Sequence, residues 1–208
     1  MKPSSDLEKL FASILGNDTK SVLRILATQP SLASAHIKRG ATRANTSEFF
    51  IDEFKHYLYD GDTALHVAAF AYRYEIADLL AKNGAKICAK NRRGAQAIHY
   101  ACDGSPNADW WNPEAQLKTV STLIKLGANP DCVDNSGVAP LHRAVRNRCT
   151  AAVKALLENG ADVNLANASG STAILLASLT TGKSGSGTEA SRIECAKIIE
   201  LINAAKSS

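Results

Sequence analysis

Asp60-Gly61-Asp62-Thr63-Ala64-Leu65-His66-Val67-Ala68-Ala69, followed by Asn83-Gly84-Ala85, decides how this chain reads, because both signals return. The first comes back as Gln96-Ala97-Ile98-His99, Ala139-Pro140-Leu141-His142 and Thr172-Ala173-Ile174-Leu175. The second comes back as Leu126-Gly127-Ala128 and Asn159-Gly160-Ala161. Gly61 to Gly94 and Gly137 to Gly170 are each 33 residues apart, and Gly94 to Gly137 is 43, the same period plus ten. A fixed period of this length marks a stack of short units, none of which can bury its apolar face alone. Between the two signals, Ile76, Leu79 and Leu80, then Val120, Leu123 and Ile124, then Val153, Leu156 and Leu157 repeat the i, i+3, i+4 spacing of one helical stripe. The glycine after each stripe is a helix stop, since it enters the left-handed region without steric cost.

The period and the TPLH-type motif resemble those of the ankyrin-repeat family. The resemblance implies an all-α solenoid of about five helix-turn-helix repeats with insertions, in a single domain over residues 1–208. The repeats fall at about 6–36, 60–90, 91–133, 134–166 and 167–205. The first is degenerate: Leu7, Leu10, Phe11, Ile14 and Leu15 form one stripe and Val22, Leu23, Ile25 and Leu26 another, without the histidine motif, so it reads as a cap. The last ends in Ile193-Glu194-Cys195-Ala196-Lys197-Ile198-Ile199-Glu200 and reads as the other cap. The resemblance further implies that the first helix of each pair lines the concave side, that loop fingers project at one edge, and that each motif histidine bonds to backbone in the adjoining loops.

The chain departs from the family pattern in several places. Gln96 and Ala139 replace the threonine expected to cap the first helix, at a local cost of about 1 kcal/mol. Leu175 stands where a histidine is expected. Three insertions interrupt the period, at about 37–59, 103–112 and 181–190. In the first, Ser47 is placed to cap a short extra helix with Phe50, Phe54, Tyr57 and Leu58 on one side, after a flexible stretch at 39–45. This insertion should lie near the finger edge. The second and third fall between the helices of their repeats and should share an edge, since insertions at equivalent points emerge on one face, often the binding face.

The family's variable surface, carried onto this chain, includes Tyr59, Asp62, Phe70, Arg92, Arg93, Arg146 and Asn147. Arg143 and Arg148 nearby would make its middle basic. Trp110 and Trp111, the only tryptophans, lie in the second insertion. Either they face a partner, as tryptophans at interface hot spots do, or they fold back and pin the loop. No catalytic, cofactor or metal site is expected. His66, His99 and His142 occur one per repeat and are too far apart to converge on one ion. Gly182-Lys183-Ser184 lacks the first glycine of a phosphate-binding loop, position 177 being alanine.

Composition sets the outer bounds. With 24 Lys and Arg against 20 Asp and Glu, net charge +4 is too mild to demand a nucleic acid or membrane. Cys88, Cys102, Cys132, Cys149 and Cys195 form no C-x-x-C pair, so small buried free thiols are expected. No apolar run is long enough to span a bilayer. These readings describe a soluble, cytoplasmic, monomeric protein that is not an enzyme. It is expected to act as a protein-protein interaction module, with a nucleic acid or other acidic ligand on the arginine cluster as the alternative partner.

Overall fold

In a computed structural model, residues 5–106, 108–179 and 189–207 are described. They form ten α-helices: α1 (Asp6–Leu15), α2 (Thr19–Thr28), α3 (Ala64–Phe70), α4 (Tyr74–Lys82), α5 (Ala97–Ala101), α6 (Pro113–Lys125), α7 (Pro140–Arg146), α8 (Thr150–Glu158), α9 (Ala173–Ser178) and α10 (Glu189–Lys206). They pair consecutively, and the pairs stack in two rows. First helices pack on first helices (α1 on α3, α3 on α5, α5 on α7, α7 on α9), and second helices α4, α6, α8 and α10 pack on their neighbours likewise. The apolar stripes meet between the rows: Leu10, Ile14, Leu26, Leu65, Ile76, Leu80, Ile98, Leu123, Leu156 and Ile198 are almost wholly shielded from water. Each such side chain contributes about 1.5–3 kcal/mol. No helix among the described residues is long and apolar enough to cross a membrane.

Local chemistry sets the helix ends. Ser5 and Glu8 form a reciprocal capping box on α1, Asp18 accepts from the Ser21 N–H to start α2, and Asn112 with Pro113 starts α6. Gly84, Gly127 and Gly160 end the second helices at positive φ. At the finger tip, Gly94 is required twice over. Its φ is +76°, and a Cβ there would stand 2.7 Å from the Asn135 backbone nitrogen of the next finger.

The motif histidine knits the stack together. In α3, α5 and α7 its Nδ1 accepts the backbone N–H three residues earlier: Thr63 to His66 at 3.2 Å, Gln96 to His99 at 3.1 Å and Ala139 to His142 at 3.1 Å. Nδ1 is therefore unprotonated. Nε2–H donates to a carbonyl toward the next repeat: Ala95 (3.1 Å), Val138 (3.1 Å) and Leu165 (2.9 Å). Both ring nitrogens are thus engaged within the fold. This geometry corrects the capping expectation. The imidazole, not a threonine hydroxyl, satisfies the first N–H, so Gln96 and Ala139 lose no side-chain cap. The hydroxyl of Thr63 instead lies 3.0 Å from His66 Nδ1. Leu175 has no such bridge and is half exposed.

Three further expectations are corrected. Residues 47–58 do not form a helix. A 3-10 turn (Ser47–Phe49) leads into strand β1 (Phe50–Ile51), a second 3-10 turn (Asp52–Phe54), and strand β2 (His56–Tyr57), antiparallel to β1 with Phe50 opposite Tyr57. The reversal needs Lys55 at φ +49°. The apolar residues are divided between the two sides of a hairpin rather than collected on one face, so helical periodicity misread them. The stretch 39–45 is tied at its centre: Ala41 is buried, donates to the Leu58 carbonyl at 2.7 Å and accepts from Arg92. Of the free cysteines, only Cys102 and Cys149 are buried, while Cys132 and Cys195 are half-buried and Cys88 is exposed. The Gly182-Lys183-Ser184 segment and most of the third insertion lie outside the described residues.

The histidines make stability pH-dependent. Burial holds His66 and His142 below the ordinary value and pushes His56 and His99 down to about 4. Between pH 6.5 and about 4 the unfolded chain therefore binds more protons than the folded one, and stability is lost as pH falls through that window. Urea midpoints should be flat near pH 7.5 and decline below pH 6.5. His99→Leu should cost about 2–4 kcal/mol at pH 7.5, because it strands the Gln96 N–H and Val138 carbonyl, and should shallow the decline. An unchanged slope would contradict this role.

Candidate partner-binding groove

The residue after each motif histidine differs between repeats. It is Val67 in α3, but Tyr100 in α5 and Arg143 in α7. These two large side chains, with Asp103 at the start of the second insertion, form a charged floor. Asp103 takes a bidentate grip on Arg143 (Nε at 2.5 Å, Nη2 at 2.6 Å) and accepts from Asn147 Nδ2 at 2.9 Å. The Arg143 guanidinium lies 5.2 Å above the Tyr100 ring centre. Asp103 beside it raises the Arg143 pKa, against an opposing effect of burial that is the largest single cause. Coulomb attraction and paired geometry together outweigh desolvation here.

The hairpin folds over this floor. His56 stacks on Phe70 at 4.4 Å, meets Tyr100 edge-on at 4.4 Å, and places Nδ1 3.6 Å from Asp103. Desolvation is what lowers its pKa, with Asp103 opposing. Its Nε2 is buried without a hydrogen-bond partner among the described residues. Phe54 packs edge-on against Phe70 and Trp110, and Arg73 lies over its other side. The first insertion therefore starts at the fingers, as expected, but its tip reaches the opposite edge and touches the second insertion.

Gln116 anchors the second insertion. Its Nε2 donates to the carbonyls of Ala101 and Asp103, both at 3.0 Å, and its Oε1 accepts from Trp111 Nε1 at 2.9 Å. The Tyr72 hydroxyl also donates to the Asp103 carbonyl. Trp110 stacks on Tyr72 at 6.3 Å. Both tryptophans fold back onto the helices and stay half-buried. Between hairpin, insertion, floor and the finger at Asp134–Val138 runs an open groove of about 890 Å³.

The residues proposed from sequence do not share one environment, and Arg92 and Trp111 lie outside the groove lining. Asp62 and Phe70 are corrected: both are buried and cannot meet a partner. Asp62 accepts from the Tyr59 N–H (2.7 Å), Asn91 Nδ2 (2.8 Å) and Tyr100 Oη (3.1 Å), binding finger to helix, and burial raises its pKa. Tyr59, Arg93, Trp110, Arg146 and Asn147 line the groove. Arg92 and Arg93 are exposed but share the Tyr59 ring, at 5.5 and 4.9 Å from its centre. The basic middle is weaker than expected: Asp103 neutralises Arg143, and Arg148 is buried, donating to the Ala177 and Leu179 carbonyls. His56, Tyr100, Asp103 and Gln116 were missed. Tyr100 and Arg143, bulky where the repeat at 60–90 has Val67, carried the signal for the floor. The pairing of His56 with Asp103 left none, because it joins two insertions outside the period.

Comparison with known proteins accords with this architecture. The family model for ankyrin repeats in three copies matches residues 112–199, and that for a single ankyrin repeat matches 60–92, more than half of the chain together. Mouse ankyrin repeat and SOCS box protein 16 is 29% identical over 110 residues, covering 53% of this chain and 24% of that protein. Human BCL-6 corepressor-like protein 1 is 33% identical over 124 residues, covering 59% and 6%. The mouse B-cell lymphoma 3 protein homolog is 33% identical over 144 residues, covering 56% and 32%. The chain thus spans less than a third of the length of each of these relatives. The shared fold is a non-enzymatic scaffold whose repeats are protein-interaction modules.

The floor is testable by a double-mutant cycle. Asp103→Leu leaves Arg143 unpaired, with side-chain exposures of 25% and 20% in the native pair, and should cost about 2–3 kcal/mol, below the range for fully buried pairs. Combining Asp103→Leu with Arg143→Met should cost much less than the summed single changes, measured by urea unfolding at constant m. Additive losses would mean the two groups act independently.

Proposed function

We propose that this chain, which belongs to the ankyrin-repeat family, is an adaptor or regulator that holds a segment of another protein in the groove between its hairpin, second insertion and fingers. The observation that carries the reading is the groove itself. Two non-repeating insertions are fastened to each other and to the stack, so the walls stand ready before a partner arrives. Preformed walls spare a binding surface the entropy of ordering loops. The half-buried Tyr59 and Trp110 offer the rigid aromatic area that dominates interface energies.

Relatives named as a SOCS box protein and a corepressor-like protein support placing the chain among regulators. Its five cysteines are all free thiols, which suits a reducing, cytoplasmic setting, and we take the working form as a monomer. The alternative of a nucleic acid loses support, because Arg143 and Arg148 are spent inside the fold.

Position-specific photocrosslinking in the native cell tests the groove. A crosslinker replacing Tyr57 or Ser136, on the groove wall, should capture discrete protein partners. The same group replacing Glu75 or Thr122, on the outer helices, should not. Capture confined to the outer positions would refute the reading.

A further inference from the structure

The charges lining the groove are not equally engaged. Asp103 is committed to Arg143. Lys55 pairs with Asp52 at 2.6 Å. Asp134 spends Oδ1 on the N–H groups of Ser136 (2.8 Å) and Val138 (3.0 Å), which shape its own finger. Two cations are left over. Arg93 rests on Tyr59 and donates to its hydroxyl at 2.9 Å but meets no carboxylate among the described residues. Arg146 is exposed and has no ion-pair or hydrogen-bond partner among them. The groove therefore holds unspent positive charge beside aromatic walls.

Their placement says what shape of anion fits. Arg93 sits at the finger edge, where its carbonyl accepts the Asn135 N–H of the next finger at 3.0 Å. Arg146 ends α7, whose first residue, Pro140, adjoins that same finger. The two cations therefore reach the groove from different elements, a finger and the far end of α7. An extended chain, rising about 3.3 Å per residue, can present separate side chains to both.

We propose that the groove takes an extended acidic segment of a partner protein, with two carboxylate side chains. One is held by Arg93 and the other by Arg146, and an apolar or aromatic residue between them lies against Tyr57 and Trp110. This rests on the groove being the docking site and adds the chemistry of its occupant. Arginine suits the task, since its planar fork grips a carboxylate through two parallel hydrogen bonds. The half-buried Arg143–Asp103 pair, which also lines the groove, supplies a neutral floor that does not repel the segment.

The test uses the full chain and an array of fluorescent dodecapeptides, each carrying two glutamates separated by zero to six residues around a central leucine. Fluorescence polarisation should show binding that peaks at one separation, as two fixed arginines require. Glu→Gln at either position, or Arg93→Gln or Arg146→Gln in the protein, should weaken it at least tenfold, with melting of the protein variants nearly unchanged. Binding indifferent to glutamate spacing, or unaffected by Arg146→Gln, overturns the proposal. So does tighter binding of a singly phosphorylated peptide or a DNA duplex through the same two arginines. The two readings fail separately. A partner crosslinked at Tyr57 through a segment without acidic residues leaves the docking groove standing and removes only the carboxylate clamp, whereas absence of any groove crosslink removes the docking site itself.

Discussion

A neutral imidazole shared between neighbouring repeats is the constraint on which this stack depends. Each motif histidine takes an N–H from its own helix start and gives a proton to a carbonyl toward the next repeat, so one side chain both caps a helix and sets the spacing of two units. The arrangement works only while the ring is uncharged, and burial keeps it so. A protonated Nδ1 would have no lone pair for the backbone N–H. The apolar stripes supply most of the stabilisation, but they are greasy surfaces that could slide. The histidine bridges and the finger-to-finger backbone bonds fix their register.

On this regular frame, two irregular segments create a specific surface. The hairpin and the second insertion are each held by groups from the stack: Phe70 and Tyr100 beneath His56, and Gln116 and Tyr72 beneath the loop from Asp103 to Trp111. They also meet each other through Phe54 and Trp110. The hairpin covers inner-helix surface that would otherwise be open, which is why Phe70 is an interior residue. What it covers on α3 it returns as a wall over α5 and α7.

The arginines show how burial sorts like residues into different roles. Arg148 and Arg73 reach carbonyls at the ends of neighbouring first helices, and Arg143 is held by Asp103. Each is part of the architecture. Arg93 and Arg146 keep their charge at the surface. A count of arginines in the middle repeats therefore overstates the positive charge a partner would meet.

The period and the helix pairs were legible in the amino-acid sequence alone, because each depends on neighbours within one repeat and the repeat is written several times over, while the backbone bonds of the motif histidines were implied by the resemblance to the ankyrin-repeat family. Gly94, His99 and the Val120, Leu123, Ile124 stripe mean the same thing wherever they recur. The groove was decided only by the tertiary structure. His56 and Asp103 lie in unrelated insertions, Phe54 meets Trp110 across two repeats, and Arg143 is silenced by a carboxylate that no spacing rule pairs with it. Contacts of that kind form because the stack brings distant segments within a few ångströms and excludes water between them, and a single sequence carries no period from which to read them.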